Sequence, residues 1–268
     1  MFKSLTLAIC ISLLSLPVAA QSTDRVDNLE ATLLPGWQTQ TGNQMAGLQL
    51  TLSPGWKTYW RSPGDAGIPP QFDWSGSDNV KSVRVHWPRP VVFTTNGIQS
   101  IGYHDAVTFP LEVTPRDPAQ PVTLRARVDL GMCRDICLPA SLDLETALIR
   151  PGAADASIDA ALAARPIGAD DAGLTSITCT VDPIADGLRI TAVLALPRQG
   201  DVETVAFESG QPGIWVAEAT SLRQAGQLTA ITEMVAPTGA PFALVRSKIR
   251  LTVIAESSAV EIQGCPAP

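Results

Sequence analysis

Two cysteines, Cys133 and Cys137, stand four positions apart and enclose only Arg134, Asp135 and Ile136. Three kinds of chemistry are open to such a pair: a plain structural bridge, reversible thiol-disulfide exchange, and soft-metal binding. In the chain-entropy picture a disulfide closing about five residues stabilises by only roughly 2 kcal/mol before strain is subtracted, so such a bond is easily reduced. If Met132 joined the cysteines, the three would form a thiolate and thioether set suited to Cu(I). Cys179 and Cys265 differ in kind. Joining them closes a loop of about 87 residues, for which the same expression gives about 4 to 5 kcal/mol, the behaviour of a structural disulfide. Arg134 favours a thiolate at the short pair and Asp135 opposes it. Exchange there therefore relies on docking and access, with attack assigned to Cys133 and resolution to Cys137.

The elements around the pair are strands. Leu124 to Leu130 and Ala140 to Leu148 alternate apolar and polar residues, the period-two pattern that puts one set of side chains in a core and the other in water. They read as a hairpin with the cysteines at its tip, where flanking residues lie about 4.5 to 5.5 Å apart at Cα and a disulfide is geometrically accessible. Similar alternation marks residues 48–52 and 80–85, and 22 prolines interrupt any long helix, the signature of a β-sandwich. One stretch departs from it. Residues 153–165 are rich in alanine and bracketed by Pro151 and Pro166, with Asp155 or Ser157 able to cap the start and Arg165 suited to the end of the dipole, which predicts a short helix. Beyond about Thr175 the alternation resumes, as in residues 188–194 and 249–254.

Met1 to Ala20 have the form of a secretory signal peptide, with Lys3, an apolar run from Leu5 to Leu16, and small residues before Gln21. Cys10 lies inside that segment. Removing it leaves Cys133, Cys137, Cys179 and Cys265, an even number, in a compartment that permits disulfides. The formal net charge of −7 becomes more negative without Lys3, so nucleic acid is not expected as a partner. No later segment reaches the roughly 18 apolar residues of a membrane span, which points to a soluble periplasmic protein.

The segment from Gly131 to Pro139, together with residues 54–65 (PGWKTYWRSPGD) and residues 101–105 (IGYHD), resembles the exported N-terminal region of DsbD-type thiol:disulfide interchange proteins, and more closely their ScsB branch, associated with copper tolerance. The likeness covers about residues 30 to 150, with three separated motifs in order, and is weaker beyond. It implies an immunoglobulin-like domain whose pair, Cys133 and Cys137, takes electrons from a membrane-embedded transporter of DsbD or CcdA type and passes them to periplasmic thioredoxin-like or disulfide-isomerase-like proteins, with no cofactor beyond the redox-active disulfide. Trp56, Tyr59 and Tyr103 are the implied flanking or shielding aromatics. A cap loop falls near Phe93 to Gly97, with Phe93 as the cap residue. The spacing between the cysteines is shorter than in the DsbD pattern, which leaves the loop geometry to the structure.

The expected fold is all-β: two immunoglobulin-like β-sandwich domains joined by a short helical linker. Residues 1–20 form the signal peptide, 21–150 the domain with the cysteine pair, 151–167 the linker, and 168–268 the second sandwich, a scaffold without redox chemistry. His86 and His104 read as ordinary strand-end or turn histidines, and Asp65 and Asp105 as turn formers. Phosphate-binding glycine loops, G-x-S-x-G elbows and H-E-x-x-H motifs are absent from the sequence. The expected activity is that of a thiol-disulfide oxidoreductase component, with a Cu(I)-binding or copper-tolerance module and a non-catalytic interaction scaffold as the competing readings.

Overall fold

A computed structural model describes residues 22–268 except Asn96, Thr238 and Ala240; the expected signal peptide lies outside the described residues. The first half of the chain forms β1 (Thr23–Val26), β2 (Leu29–Gln38), β3 (Gln44–Leu52), β4 (Lys57–Tyr59), β5 (Gln71–Asp73), β6 (Val80–Val85), β7 (Val91–Thr95), β8 (Ile98–His104), β9 (Ala106–Pro115), β10 (Val122–Cys133) and β11 (Cys137–Leu148). Their order is β1-β2-β3-β9-β6 in one sheet and β11-β10-β4-β8-β7 in the other, where β5 also pairs with β10. All these pairings are antiparallel.

The two sheets close over one core. Leu33, Leu48 and Phe109 meet Leu124, Val128 and Leu142 there, all fully buried. The alternation visible in the sequence is what aims them inward. On β10, Leu124, Ala126, Val128 and Leu130 are buried while Arg127 and Asp129 face solvent, and each buried leucine or valine stabilises the fold by about 1.5–3 kcal/mol through apolar area removed from water.

Helix α1 (Ala156–Ala163) follows. Asp155 is its N-cap and accepts hydrogen bonds from the backbone N–H groups of Ser157 and Ile158, satisfying donors that the first turn leaves free. The Arg165 side chain donates to the Leu162 carbonyl at the other end. Ile158 is fully buried against Leu34 and Met45, so the helix is fastened to the outside of the first sheet.

The second half supplies β12 (Ile167–Gly168), β13 (Ser176–Pro183), β14 (Gly187–Ala195), β15 (Thr204–Glu208), β16 (Trp215–Val216), β17 (Thr220–Gln224), β18 (Gln227–Val235), β19 (Arg250–Ile254) and β20 (Ala259–Gln263). These form sheets ordered β12-β20-β19-β15 and β13-β14-β18-β16, with β17 against β18. Their core contains Ile190, Leu194, Leu251, Val253 and Val260, together with the disulfide between Cys179 and Cys265, which are 0% and 1% exposed. The chain is nearly all-β, with one α-helix among the described residues. Ala206 on β15 and Ile254 on β19 pack into the core of the first half rather than their own.

Candidate functional site

The β10–β11 ladder runs without a slip from Val122 opposite Leu148 to Cys133 opposite Cys137. Residues 134–136 make the turn, where Arg134 N–H donates to the Ile136 carbonyl at 3.1 Å. Cys133 and Cys137 are joined as a disulfide with Cα atoms 4.1 Å apart, slightly closer than the hairpin geometry alone predicts. Arg134 and Asp135 pair with each other at 2.9 Å, so the two charges at the tip cancel locally.

The in-out alternation of β10 stops at Leu130, because Gly131, Met132 and Cys133 are all buried. A second layer covers the face that is wet elsewhere on the strand. Lys57 pairs with Cys133 on one side and with His104 on the other, so these three side chains share a face, and Tyr59, two residues along β4, shares it too. The Tyr59 hydroxyl donates to Cys133 Sγ at 2.8 Å and lies 3.6 Å from Cys137 Sγ. Burial raises the pKa of this phenol, keeping it a protonated donor near neutral pH. The two sulfurs thus have different surroundings: Cys133 is 2% exposed, while Cys137 is exposed beside Ile136, itself 64% exposed.

Farther along the same face, the Lys57 ammonium lies 4.8 Å from the centroid of the Phe93 ring and 3.4 Å from the hydroxyls of Thr95 and Ser100. The Phe93 ring meets His104 edge-on with centroids 6.1 Å apart. Burial lowers the pKa of Lys57. Phe93 therefore sits on the face of the disulfide, reached through Lys57, on a β7–β8 hairpin rather than an irregular loop. Trp56 is 5% exposed and belongs to the core, and the Arg134 guanidinium lies 5.6 Å from its ring centroid, which ties the hairpin tip to the core beneath it.

Two expected assignments need correction. Tyr103 pairs with Thr58, one register step from Lys57, and therefore points to the opposite face. It is packed against Phe109 and its hydroxyl donates to the Pro88 carbonyl at 2.9 Å, so it is a core residue and does not shield the disulfide. Met132 likewise alternates away from Cys133 and is buried in the core of the first half, so the set Met132, Cys133 and Cys137 is not brought together. Among the described residues no group of three or more His, Cys, Asp or Glu side chains is placed to hold a metal ion. His86 lies between Glu112, at 3.2 Å, and Arg165, at 3.1 Å, and Asp105 takes a φ of 61° in the turn between β8 and β9.

Lys57, Arg61 and Ile68 near the site were not singled out in the sequence. Lys57 had a readable signal, since period two from Tyr59 puts it on the same face. Ile68 and Arg61 had none, because their positions depend on where a loop returns.

Residues 30–148 match the family model described as thiol:disulfide interchange protein DsbD, N-terminal. A comparison with curated proteins found no match. The crystal structure of the N-terminal periplasmic domain of ScsB from Proteus mirabilis is similar in fold, with a TM-score of 0.69 and 21% identity, over 90% of this chain and 94% of that one. The likeness thus spans both halves. No helix among the described residues is long and apolar enough to cross a membrane. With a disulfide at the tip of the hairpin inside the matched segment, residues 30–148 are a domain of the DsbD N-terminal type.

Proposed function

We propose that this protein is a periplasmic dithiol/disulfide relay working through Cys133 and Cys137, exported by its N-terminal segment. The observation that carries this reading is the asymmetry of the two sulfurs: Cys137 exposed at a hairpin tip, Cys133 buried under the hydroxyl of Tyr59. An incoming thiolate reaches Cys137 Sγ. The Cys133–Cys137 bond breaks, and its electron pair leaves on Cys133, where the Tyr59 O–H donates to the new thiolate. A second thiolate of the donor then attacks the mixed disulfide and frees Cys137, so the donor dithiol ends as a disulfide and the pair ends reduced. Run in reverse, the Cys137 thiolate attacks an acceptor's disulfide and Cys133 resolves it. This reverses the roles expected from the sequence, for the physical reason that access selects the attacking sulfur.

The donor in this reading is a membrane-embedded transporter of DsbD or CcdA type, and the acceptors are thioredoxin-like or disulfide-isomerase-like proteins. Phe93, held by Lys57, serves as a cover over the site, and Trp56 as its floor. Trapping tests the roles. Cys133→Ala should accumulate mixed disulfides through Cys137 in the periplasm, and Cys137→Ala should accumulate few. A reduction potential far below about −300 mV, the range of resistant structural disulfides, would sink the relay.

A further inference from the structure

Arg61 follows directly after Tyr59 and Trp60, yet its partners belong to the other half of the chain. Its guanidinium donates to both carboxylate oxygens of Glu208 on β15 at 2.9–3.1 Å and to Glu261 on β20 at 2.6 Å. The side chain is only 14% exposed and lies 4.3 Å from the ring centroid of Trp60. Burial works against its charge, but the hydrogen bonds and charges of Glu208 and Glu261 outweigh this and hold its pKa above the ordinary arginine value. The next residue, Ser62, donates through its hydroxyl to the Phe207 carbonyl at 3.4 Å. With Ala206 and Ile254 packed into the first core, this anchors the start of the loop over residues 61–69 to the second half.

The far end of that loop lies on Tyr59 and on the strand that leads to Cys133. Gly67 is so close to Tyr59 that an added Cβ would stand 2.9 Å from ring atom Cδ1, and a Cβ at Gly131, two residues before Cys133, would stand 2.7 Å from Ile68 Cβ. The loop thus covers the ring that donates to Cys133 Sγ and the strand that carries it.

We propose that Arg61 is a positioning residue through which the second half of the chain holds Tyr59 against Cys133 and Ile68 against Gly131, and so sets how readily the Cys133–Cys137 bond exchanges. The proposal rests on the relay reading above. The second half is then a regulator of the pair's reactivity and not a passive scaffold. The step it acts on is the departure of the electron pair onto Cys133 Sγ as a donor thiolate bonds to Cys137. Slack in the loop lengthens the Tyr59 hydrogen bond and leaves the new thiolate less stabilised, which makes Cys133 a poorer leaving group.

The test uses the full exported chain, dithiothreitol as the dithiol, and two readouts: the rate of opening of Cys133–Cys137, and the pH profile of Cys133 alkylation in the reduced protein. Arg61→Ala should slow opening about threefold and move the alkylation profile upward by about one pH unit. Arg61→Lys keeps the charge without the fork and should fall between Ala and wild type. In a Tyr59→Phe background Arg61→Ala should add nothing, because the two changes remove one interaction. Wild-type values for Arg61→Ala, or an equal slowing in the Tyr59→Phe background, would overturn the proposal. If Arg61→Ala does not fold, Arg61→Lys and Glu261→Gln are read in the same way, and unchanged values in both overturn it. The relay reading is checked separately on the wild type: if dithiothreitol opens Cys133–Cys137 no faster than Cys179–Cys265, that reading fails whatever Arg61 does.

Discussion

Tyr59 donates to one sulfur of the disulfide at 2.8 Å and is 2% exposed, so its hydrogen bond is made out of reach of competing water. A bond from a neutral hydroxyl to a disulfide sulfur is weak, but the same bond to a thiolate is charge-assisted and roughly twice as strong. Tyr59 therefore favours the reduced state. Replacing it with Phe removes the donor and keeps the ring, and the reduction potential should become more negative by about 30 mV, the equivalent of about 1.4 kcal/mol for a two-electron couple. Equilibration against glutathione or dithiothreitol buffers checks this, and an unchanged potential would show that the hydroxyl has no bearing on the couple. The presence of a tyrosine near the cysteines follows from the sequence motif. Its bond to Cys133 in preference to Cys137 follows only from the register of β4 on β10.

At the scale of elements, the two disulfides occupy opposite situations. One closes a three-residue hairpin turn with an exposed sulfur, and the other joins β13 to the C-terminal tail, inside the second core, where Arg246 also donates to the carbonyls of Cys179 and Cys265 at 2.9 and 3.1 Å. Mild reductant should open the first and spare the second, as alkylation followed by peptide mapping would record. Removing the long-loop bridge by Cys179→Ser with Cys265→Ser should cost about 4–5 kcal/mol in chemical denaturation by the chain-entropy expression, against roughly 2 kcal/mol for the short one. Equal losses would mean that the hairpin bond constrains the fold as much as the long bridge does. The alternation of β10 and β11 was plain in the sequence down to individual residues. What the pattern did not carry was its end: Met132 keeps the inward alternation, while Ile68 returns over Gly131 and Tyr59 covers Cys133.

At the scale of the whole molecule, the connecting helix is tied to the first sheet by a titratable contact. His86 Nδ1 faces the guanidinium of Arg165, and its Nε2 faces the Glu112 carboxylate. Nδ1 must be unprotonated to accept from Arg165, which places the ring proton on Nε2. Burial first, then the charge of Arg165, lower the His86 pKa, with Glu112 opposing them. Because the folded pKa lies below the unfolded value of about 6.5, the unfolded chain binds more protons as pH falls below that value, and stability drops there, while above it His86 contributes no slope. Glu112, whose pKa is lowered first by its hydrogen bond from Asn43, loses its own contribution only at more acidic pH. Urea titrations at successive pH values below 6.5 should therefore show a decline that His86→Gln flattens. An identical decline in the variant would assign it to other groups.

The sequence by itself determined the all-β architecture and the DsbD N-terminal type of residues 30–148, because period-two alternation and three ordered motifs are local properties that survive without knowledge of neighbours. That Asp155 or Ser157 caps the helix was legible for the same reason, since a cap acts over two or three residues, and the structure selects Asp155. Tertiary structure alone decided which face each motif residue presents. Tyr103 lies within a motif yet points into the core, and Met132 adjoins a cysteine yet points away from it. One step along a strand reverses a side chain, and the register that fixes the step is set by pairing with a distant strand. The partners of Arg61 were hidden for a related reason: Glu208 and Glu261 lie 147 and 200 residues away. A contact at such separation leaves no periodicity in the chain and exists only once both pairs of sheets have closed and docked.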